Sequence, residues 1–443
     1  MGTRAAATAA PRHVLALRAY RRTRAVALVL VAAVAFGGGL AGFTLLRLGS
    51  NVRQLPSVSH LVAPPVRAAG QDEQPDADDP MAGRAVNILL LGTDDRSGEN
   101  AELAGADPGG GSDTTLVVHL SADRSRVEVV SIPRDTRAEI PACHLDRDVD
   151  GRMSRPRTAK FNAAFAIGWA TGDPALAAAC TISTVQTMTG LTVDGVAIVD
   201  MAGFVGMVEA VGGVRVCVPE PLRDTRYTGL DLPAGWADLD GVTALQYVRA
   251  RHVEGSDGTD PARIARQHEF LGALVRKVLS SDVLSSPLAL GRFLDAVTSS
   301  LTVSAELADP GTLLGLAWSL RGLDAADLSF TTVPWAYAPG GYVVWTQDAQ
   351  AIWTRLLADE PLADGAVVTE TDGVAPGAGT AVRTAGPANG STRPATVVEL
   401  GSGVAGPGSS QGGPATVPPP PSARPLPGVG LRTAADAASS ACG

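Results

Sequence analysis

The chain changes its pattern of apolar and polar positions three times. Residues 25–46 (AVALVLVAAVAFGGGLAGFTLL) are apolar without a single charge, and roughly 20 such residues carry a helix across a bilayer core. Residues 47–84 turn rich in Pro, Asp, Ala and Gln, with an acidic run from Asp72 to Asp79, the composition of a linker. From 85 to 362 short hydrophobic runs alternate with turn residues. Val86–Gly92 is such a run and predicts a buried strand. Two more strands follow at Thr114–Leu120 and Arg126–Ile132, joined by a hairpin through Ala-Asp-Arg-Ser. Helices are predicted at Phe161–Ala170 and Pro174–Met188, then strands at Val196–Val199 and Val214–Val218 around a helix at Met201–Val211, which Gly212-Gly213 stops. Asp240–Tyr247 is helical, and a longer helix over Pro261–Leu279 has its proline in the first turn. Helices over 286–322, two strands near 328–345 and a helix at Gln347–Leu357 close the unit. There is no strict βαβ rhythm, so the expected fold is α/β, a mixed central sheet packed between helices. Residues 363–443 return to Pro, Gly, Ala, Thr and Ser, with four prolines at 418–421, a composition that cannot bury enough apolar surface to fold alone and predicts a disordered tail.

Charge settles the expected orientation. Arg4, Arg12, Arg18, Arg21, Arg22 and Arg24 precede the apolar stretch, with no acidic residue among them. Positive flanks stay inside. A basic tail at 1–24 is therefore expected in the cytoplasm, an anchor at 25–46 in the membrane, and the 85–362 domain outside the cell membrane. A cleaved signal peptide would carry a shorter apolar region of about 7–15 residues and a small-residue cleavage site, whereas this run continues into Leu45-Leu46-Arg47-Leu48. The net charge of −9 and an aromatic content of 4% speak against a nucleic-acid partner. The 24 residues before the anchor are too few for a helix-turn-helix with its own core. Cys143, Cys180, Cys217 and Cys442 all follow the anchor, without CxxC spacing, as expected for disulfides in an oxidising compartment. Four cysteines allow three pairings. One of these, Cys143 with Cys180 and Cys217 with Cys442, would tie the tail back to a strand.

Four clusters carry candidate chemistry: Asp94-Asp95-Arg96-Ser-Gly after the first strand, Ser112-Asp113-Thr114-Thr115 before the second, Pro133-Arg134-Asp135-Thr136 after the third, and Arg249-Ala-Arg251-His252 through Asp260, Arg263, Arg266 and Gln267. Strand ends are where such folds build their sites. Arg249 and Arg251 share one face of an extended chain, while Arg263, Arg266 and Gln267 share a helix face. Asp260 suits the cap of that helix. Clustered guanidiniums match a phosphate, and Asp94 and Asp113 are hard oxygen ligands suited to Mg2+. Together they compose what phosphoryl transfer needs. Taken singly, each has a plain structural explanation: a solvated turn, a local ion pair, a solvated helix face. The glycines at 109–111 form no Walker motif, since no Gly-Lys-Ser/Thr follows. Val205, Val208, Phe270, Leu271, Leu274, Val275 and Val278 suit either a core or the wall of a lipid channel, and His119 a strand position without a role.

In order, NILLLGTDDRSGEN (87–100), SDTTLVVHL (112–120), VVSIPRDT (129–136), KFNAAFAIG (160–168), VDMAGFVGMVEAVGGVRVCVPEPLRD (199–224), LDGVTALQYVRARH (239–252) and GTDPARIARQHEFLGALV (258–275) resemble the LytR–CpsA–Psr (LCP) family. GLDLPAG (229–235), the cysteine pattern and the closing RTAADAASSACG resemble its actinobacterial members. The resemblance implies transfer of a glycopolymer from a polyprenyl-pyrophosphate carrier to peptidoglycan, at the C6 hydroxyl of N-acetylmuramic acid, with polyprenyl phosphate leaving. Carried over by position, it implies that Asp94 and Asp113 hold magnesium and that Arg96, Arg134, Arg249, Arg251, Arg263 and Gln267 hold the pyrophosphate. Arg266 would be a further contact, Asp135 or Asp260 would orient the arginines, and no general base is assigned. Two positions depart from the family pattern: Ala262 stands for a glycine and His268 for a glutamine. The alternatives are a non-catalytic envelope sensor or attenuator, and a pyrophosphatase that uses water in place of the sugar hydroxyl.

Overall fold

The computed structural model describes residues 47, 50–62, 81–104, 110–254, 260–280, 283, 286–362, 432–433 and 442. Its centre is an eight-stranded sheet. In chain order the strands are β1 (Arg53–Gln54), β2 (Val86–Thr93), β3 (Ser112–Leu120), β4 (Val127–Ser131), β5 (Gly195–Val199), β6 (Leu301–Val303), β7 (Leu328–Thr332) and β8 (Arg432–Thr433). Their spatial order is β1-β6-β5-β2-β3-β4-β7-β8. The β2/β5, β1/β6 and β4/β7 pairs are parallel and the rest antiparallel, so the sheet is mixed as expected.

Side-chain alternation divides the two cores. Leu89 and Leu91 of β2 and Val117 of β3 face one side, where helices α2 (Ala163–Trp169), α3 (Pro174–Thr189) and α10 (Asp348–Leu357) supply Phe165, Leu176, Val185 and Trp353. Val86, Ile88 and Leu90 face the other way with Leu116 and Phe330, against Leu271 and Val275 of α6 (Asp260–Val278). A third cluster joins α4 (Met201–Ala210), α5 (Gly241–Arg249) and α6 to the hairpin Val214–Val218/Gly235–Leu239, around Tyr247 and Phe270. The short helices α1 (Asn100–Ala104), α8 (Ala305–Ala308) and α9 (Pro310–Ser319), together with α7 (Pro287–Ser300), complete the shell. Asp200 and Asp240 cap α4 and α5 by accepting from Gly203 N–H at 2.7 Å and Thr243 N–H at 2.8 Å.

Several features differ from the expectations. The helical run expected over 286–322 is interrupted by β6, because Leu301, Thr302 and Val303 pair with β5 on one side and Thr302 and Val303 with β1 on the other. The region near 328–345 holds three strands, β7 and the hairpin Trp335–Ala338/Tyr342–Trp345. Hairpins at Arg137–Ile140/Arg157–Lys160 and Leu222–Asp224/Leu230–Leu232 were not expected. The folded unit also begins before residue 85: β1 pairs with β6, and Leu55, Val58 and Leu61 are buried in the first core. At the other end, β8 pairs with β7 and Cys442 is bonded to Cys217, so part of the 363–443 segment belongs to the fold. The second disulfide joins Cys143 to Cys180. Among the described residues no helix is long and apolar enough to cross a membrane; the anchor expected at 25–46 lies outside the described residues.

Candidate functional site

The β2–β3 ladder ends in a register shift at Gly92/Thr93. Gly92 allows the close approach there, since a Cβ at this position would meet the Thr114 Cβ at 3.1 Å. Just beyond, Asp94 N–H donates to Gly111 O at 2.8 Å. This brings the carboxylates of Asp94 and Asp113 to the end of the sheet, where α5, α6 and the turn after β4 converge.

Asp94 accepts from two arginines. Arg96 Nη2 lies 2.9 Å from Oδ2, and Arg249 Nη2, from the last turn of α5, lies 3.0 Å from Oδ1. Asp113 pairs with Arg134 and stands 3.6 Å from Arg263 Nη1. Behind them, buried Asp260 accepts from Arg263 and, through Oδ2, from the Arg134 backbone N–H at 2.9 Å. Asp260 is the first residue of α6 and so fixes both arginines to that helix end. The two carboxylates titrate in opposite directions. Burial works against the charge of Asp113, but Arg263 and Arg134 outweigh it and hold this carboxyl below the usual range. At Asp260 burial wins over the same arginines and pushes the carboxyl up. Burial also opposes the charge of Arg134, yet Asp113 and Asp260 keep it more firmly protonated than usual.

Two cavities meet at this cluster. The first, of about 170 Å3, is apolar along most of its length: Leu116, Phe204, Met207, Phe270, Leu271 and Leu274 line it, and Arg263 and Gln267 stand in its wall. The second, of about 420 Å3, is lined by Arg96, Arg134, Arg251, Tyr227, Gln246 and His252 among others. Asp94, Asp113, Arg249 and Leu245 belong to both. Gln267 is held by Thr114 Oγ1 at 3.0 Å and Val248 O at 3.2 Å.

The structure thus brings Asp94, Asp113, Arg96, Arg134, Arg249, Arg251, Arg263 and Gln267 to one junction. Asp135, Asp260 and Arg266 line neither cavity. Asp135 turns to Lys160 Nζ at 2.6 Å and to Arg251 Nη2 at 3.5 Å. Arg266 donates to Ala250 O, which braces the turn carrying Arg251, and burial lowers its pKa. His268, in the place of the family's glutamine, is buried in the sheet's core beside Phe330, 2.7 Å from Ser131 Oγ. His119 is also buried, between Asn87 Oδ1 at 2.8 Å and Asp359 Oδ1 at 3.1 Å. Of the residues left open as core or channel, Phe270, Leu271 and Leu274 line the apolar cavity, while Val208, Val275 and Val278 pack in the clusters. Sequence reasoning missed Lys160, Asp224 and Tyr227. Lys160 carried a signal, being one of only two lysines in the chain and standing inside a family block. Among the described residues no group of three or more His, Cys, Asp and Glu could by itself hold a metal ion.

The LytR_cpsA_psr family model matches residues 65–357. Over 271 residues the chain is 32% identical to "Cell wall biosynthesis protein LcpA" of Corynebacterium glutamicum, covering 57% of this chain and 50% of that protein. Over 232 residues it is 30% identical to "Polyisoprenyl-teichoic acid--peptidoglycan teichoic acid transferase TagU" of Oceanobacillus iheyensis, covering 52% of this chain and 62% of that one. The chain therefore spans about half to three-fifths of the length of these curated relatives. A solved structure, "LytR-Csp2A-Psr enzyme from Actinomyces oris", aligns at 23% identity and a TM-score of 0.47, covering 66% of this chain and 95% of that one. The family match takes in most of the chain, including the whole constellation around Asp94 and Asp113: this protein belongs to the LytR_cpsA_psr family.

Proposed function

We propose that this chain is a phosphotransferase that moves a glycopolymer from a polyprenyl-pyrophosphate carrier onto the C6 hydroxyl of peptidoglycan N-acetylmuramic acid. One observation carries the reading: an apolar cavity and a charged cavity share Asp94, Asp113 and Arg249. A polyprenyl chain needs the first, a pyrophosphate needs the junction, and two glycans need the open second cavity. The relatives named as cell-wall biosynthesis proteins and teichoic acid transferases support the same class of reaction. The chain would act at the outer face of the cell membrane, held by residues 25–46 with its N-terminus in the cytoplasm.

In this reading Arg249 and Arg263 take the pyrophosphate where the cavities join, and Gln267, tied to Thr114 and Val248, shapes the wall beside them. Arg96, Arg134 and Arg251 face the glycan-side phosphate from the second cavity. The muramic hydroxyl oxygen bonds to the glycan-side phosphorus, the bond from that phosphorus to the bridging oxygen breaks, and polyprenyl phosphate leaves with the electron pair. The hydroxyl proton passes to solvent water as that bond forms. Charge builds on the phosphate oxygens and on the leaving group, so preorganised guanidiniums are the main catalytic device. Asp94 and Asp113 fit magnesium, which commonly takes one or two carboxylates and completes its shell with phosphate oxygens and water. Bound there, the ion would neutralise phosphate charge, freeing the arginines that Asp94 and Asp113 now engage.

The test is to incubate the full chain in detergent with magnesium, a lipid-linked glycan pyrophosphate and peptidoglycan fragments, and to look for glycan–phosphate–muramic acid by mass spectrometry. The expected product disappears on chelation and in Arg249→Ala and Asp113→Ala. Free phosphorylated glycan without adduct would indicate water as acceptor and overturn the transferase reading. Tight donor binding without turnover would indicate a sensor.

A further inference from the structure

The second cavity is larger than a pyrophosphate requires, and one of its walls is not explained by phosphate chemistry. Tyr227 lies on that wall and keeps 60% of its surface exposed. Its ring is stacked on His252, with centroids 4.0 Å apart and planes at 29°. The Arg226 guanidinium carbon lies 5.5 Å from the same ring centroid. An aromatic ring fixed from behind, open in front and close to a charged donor is an amphipathic surface of the kind that anchors ligands. Its backing is well determined: buried Asp224, 3% exposed, accepts from the backbone N–H groups of both Arg251 and His252 at 3.2 Å. The other oxygen of Asp224, Oδ1, is buried without a hydrogen-bond partner, and Asp224 lines the same cavity.

We propose that Tyr227, seated on His252, is the platform on which a sugar ring of the acceptor peptidoglycan strand docks, with Gln246 on the same wall available to its hydroxyl groups. This rests on the transferase reading and deepens it. The direction of attack selects the acceptor over the donor glycan. Attacking and leaving oxygens lie roughly in line across the transferred phosphorus. The leaving polyprenyl phosphate is drawn toward the apolar cavity, so the attacking hydroxyl approaches from the opposite side, through the cavity that Tyr227 lines. The donor glycan, on an equatorial oxygen of the same phosphorus, leaves the line sideways.

The test measures binding by the full chain in detergent of two probes: soluble peptidoglycan oligosaccharides of alternating N-acetylglucosamine and N-acetylmuramic acid, and a lipid-linked glycan pyrophosphate. Wild type, Tyr227→Phe and Tyr227→Ala are compared. Tyr227→Ala is expected to weaken oligosaccharide binding about tenfold or more, Tyr227→Phe to retain it, and donor binding to stay equal in all three. Equal oligosaccharide affinity in Tyr227→Ala, or no binding by wild type, overturns the platform. So does a fall in donor affinity in Tyr227→Ala, which would place the donor sugar on the ring. Whether wild type forms the adduct at all is read separately in the transfer assay, so failure of the platform and failure of the transferase reading are told apart.

Discussion

The Arg249 guanidinium donates to Asp94 Oδ1 at 3.0 Å, joining the last turn of α5 to the end of β2 across 155 positions of chain. This contact sits where the apolar and charged cavities meet, so it is the hinge of the proposed chemistry. Arg249→Lys keeps a charge but loses the planar fork that binds two phosphate oxygens at once. Turnover is expected to fall about 10²–10³-fold in Arg249→Ala and substantially in Arg249→Lys, with the melting temperature of both close to that of wild type. Steady-state transfer rates beside thermal unfolding would check this; an active Arg249→Lys would remove bidentate recognition from the mechanism.

Asp260 is a different kind of residue. Its side chain is 1% exposed and engages Arg263, itself 2% exposed. Removing one partner of a buried pair leaves the other charge stranded, at a cost of about 3–5 kcal/mol. Asp260→Ala is therefore expected to lower the denaturant midpoint markedly. Asp260→Asn should lose less, because the neutral amide still offers an oxygen to the Arg134 N–H. Urea unfolding of the two variants is the measurement.

The apolar cavity makes a prediction about lipid. Leu274 lines it one helical turn beyond Phe270. Leu274→Trp should crowd the far end of the cavity and weaken long-chain polyprenyl donors about tenfold, while donors carrying a short isoprenoid stay near wild type. Equal losses for both donors would mean that the cavity does not hold the chain.

The pH dependence of stability should carry the mark of His119. Burial lowers its pKa from the ordinary 6.5, only partly countered by Asp359, with Arg126 adding to the lowering and Asp194 opposing it. In the unfolded chain the ring takes up a proton near its ordinary pKa, while in the folded protein it stays neutral to lower pH. The contribution of this group is therefore complete above about 6.5 and declines as pH falls from there toward the lowered value. Melting temperatures taken from pH 7.5 down to 5.5 should fall less steeply in His119→Gln than in wild type. Parallel curves would show that the ring is protonated equally in both states.

Much of this was legible in the sequence because it is local. The β2, β3 and β4 strands are apolar runs bounded by turn residues, and Asp94, Asp113 and Arg134 sit at their ends, so strand assignment alone gathers them. α6 declares itself by its length and by Pro261. The misses share a physical cause. β6 is three residues long and becomes a strand only because β5 offers a free edge, a tertiary fact. β1 hides in a polar stretch whose apolar residues, Val52, Leu55, Val58 and Leu61, recur every third position and so give no strand alternation. Tyr227 falls between family blocks, and only folding of the Leu222–Asp224/Leu230–Leu232 hairpin brings it to His252. Arg266 shares the helix register of Arg263, but the carbonyl of Ala250 captures it, a choice that helix periodicity does not reveal.

The bond between Cys217 and Cys442 has a consequence for how the protein meets proteases. With Leu362 on the domain and Cys442 covalently fastened to it, the intervening chain is a closed loop instead of a dangling end. One cut anywhere between 363 and 431 releases nothing: the two pieces migrate together until a reductant separates them. Releasing the segment that ends at Cys442 therefore takes a cut and a thiol.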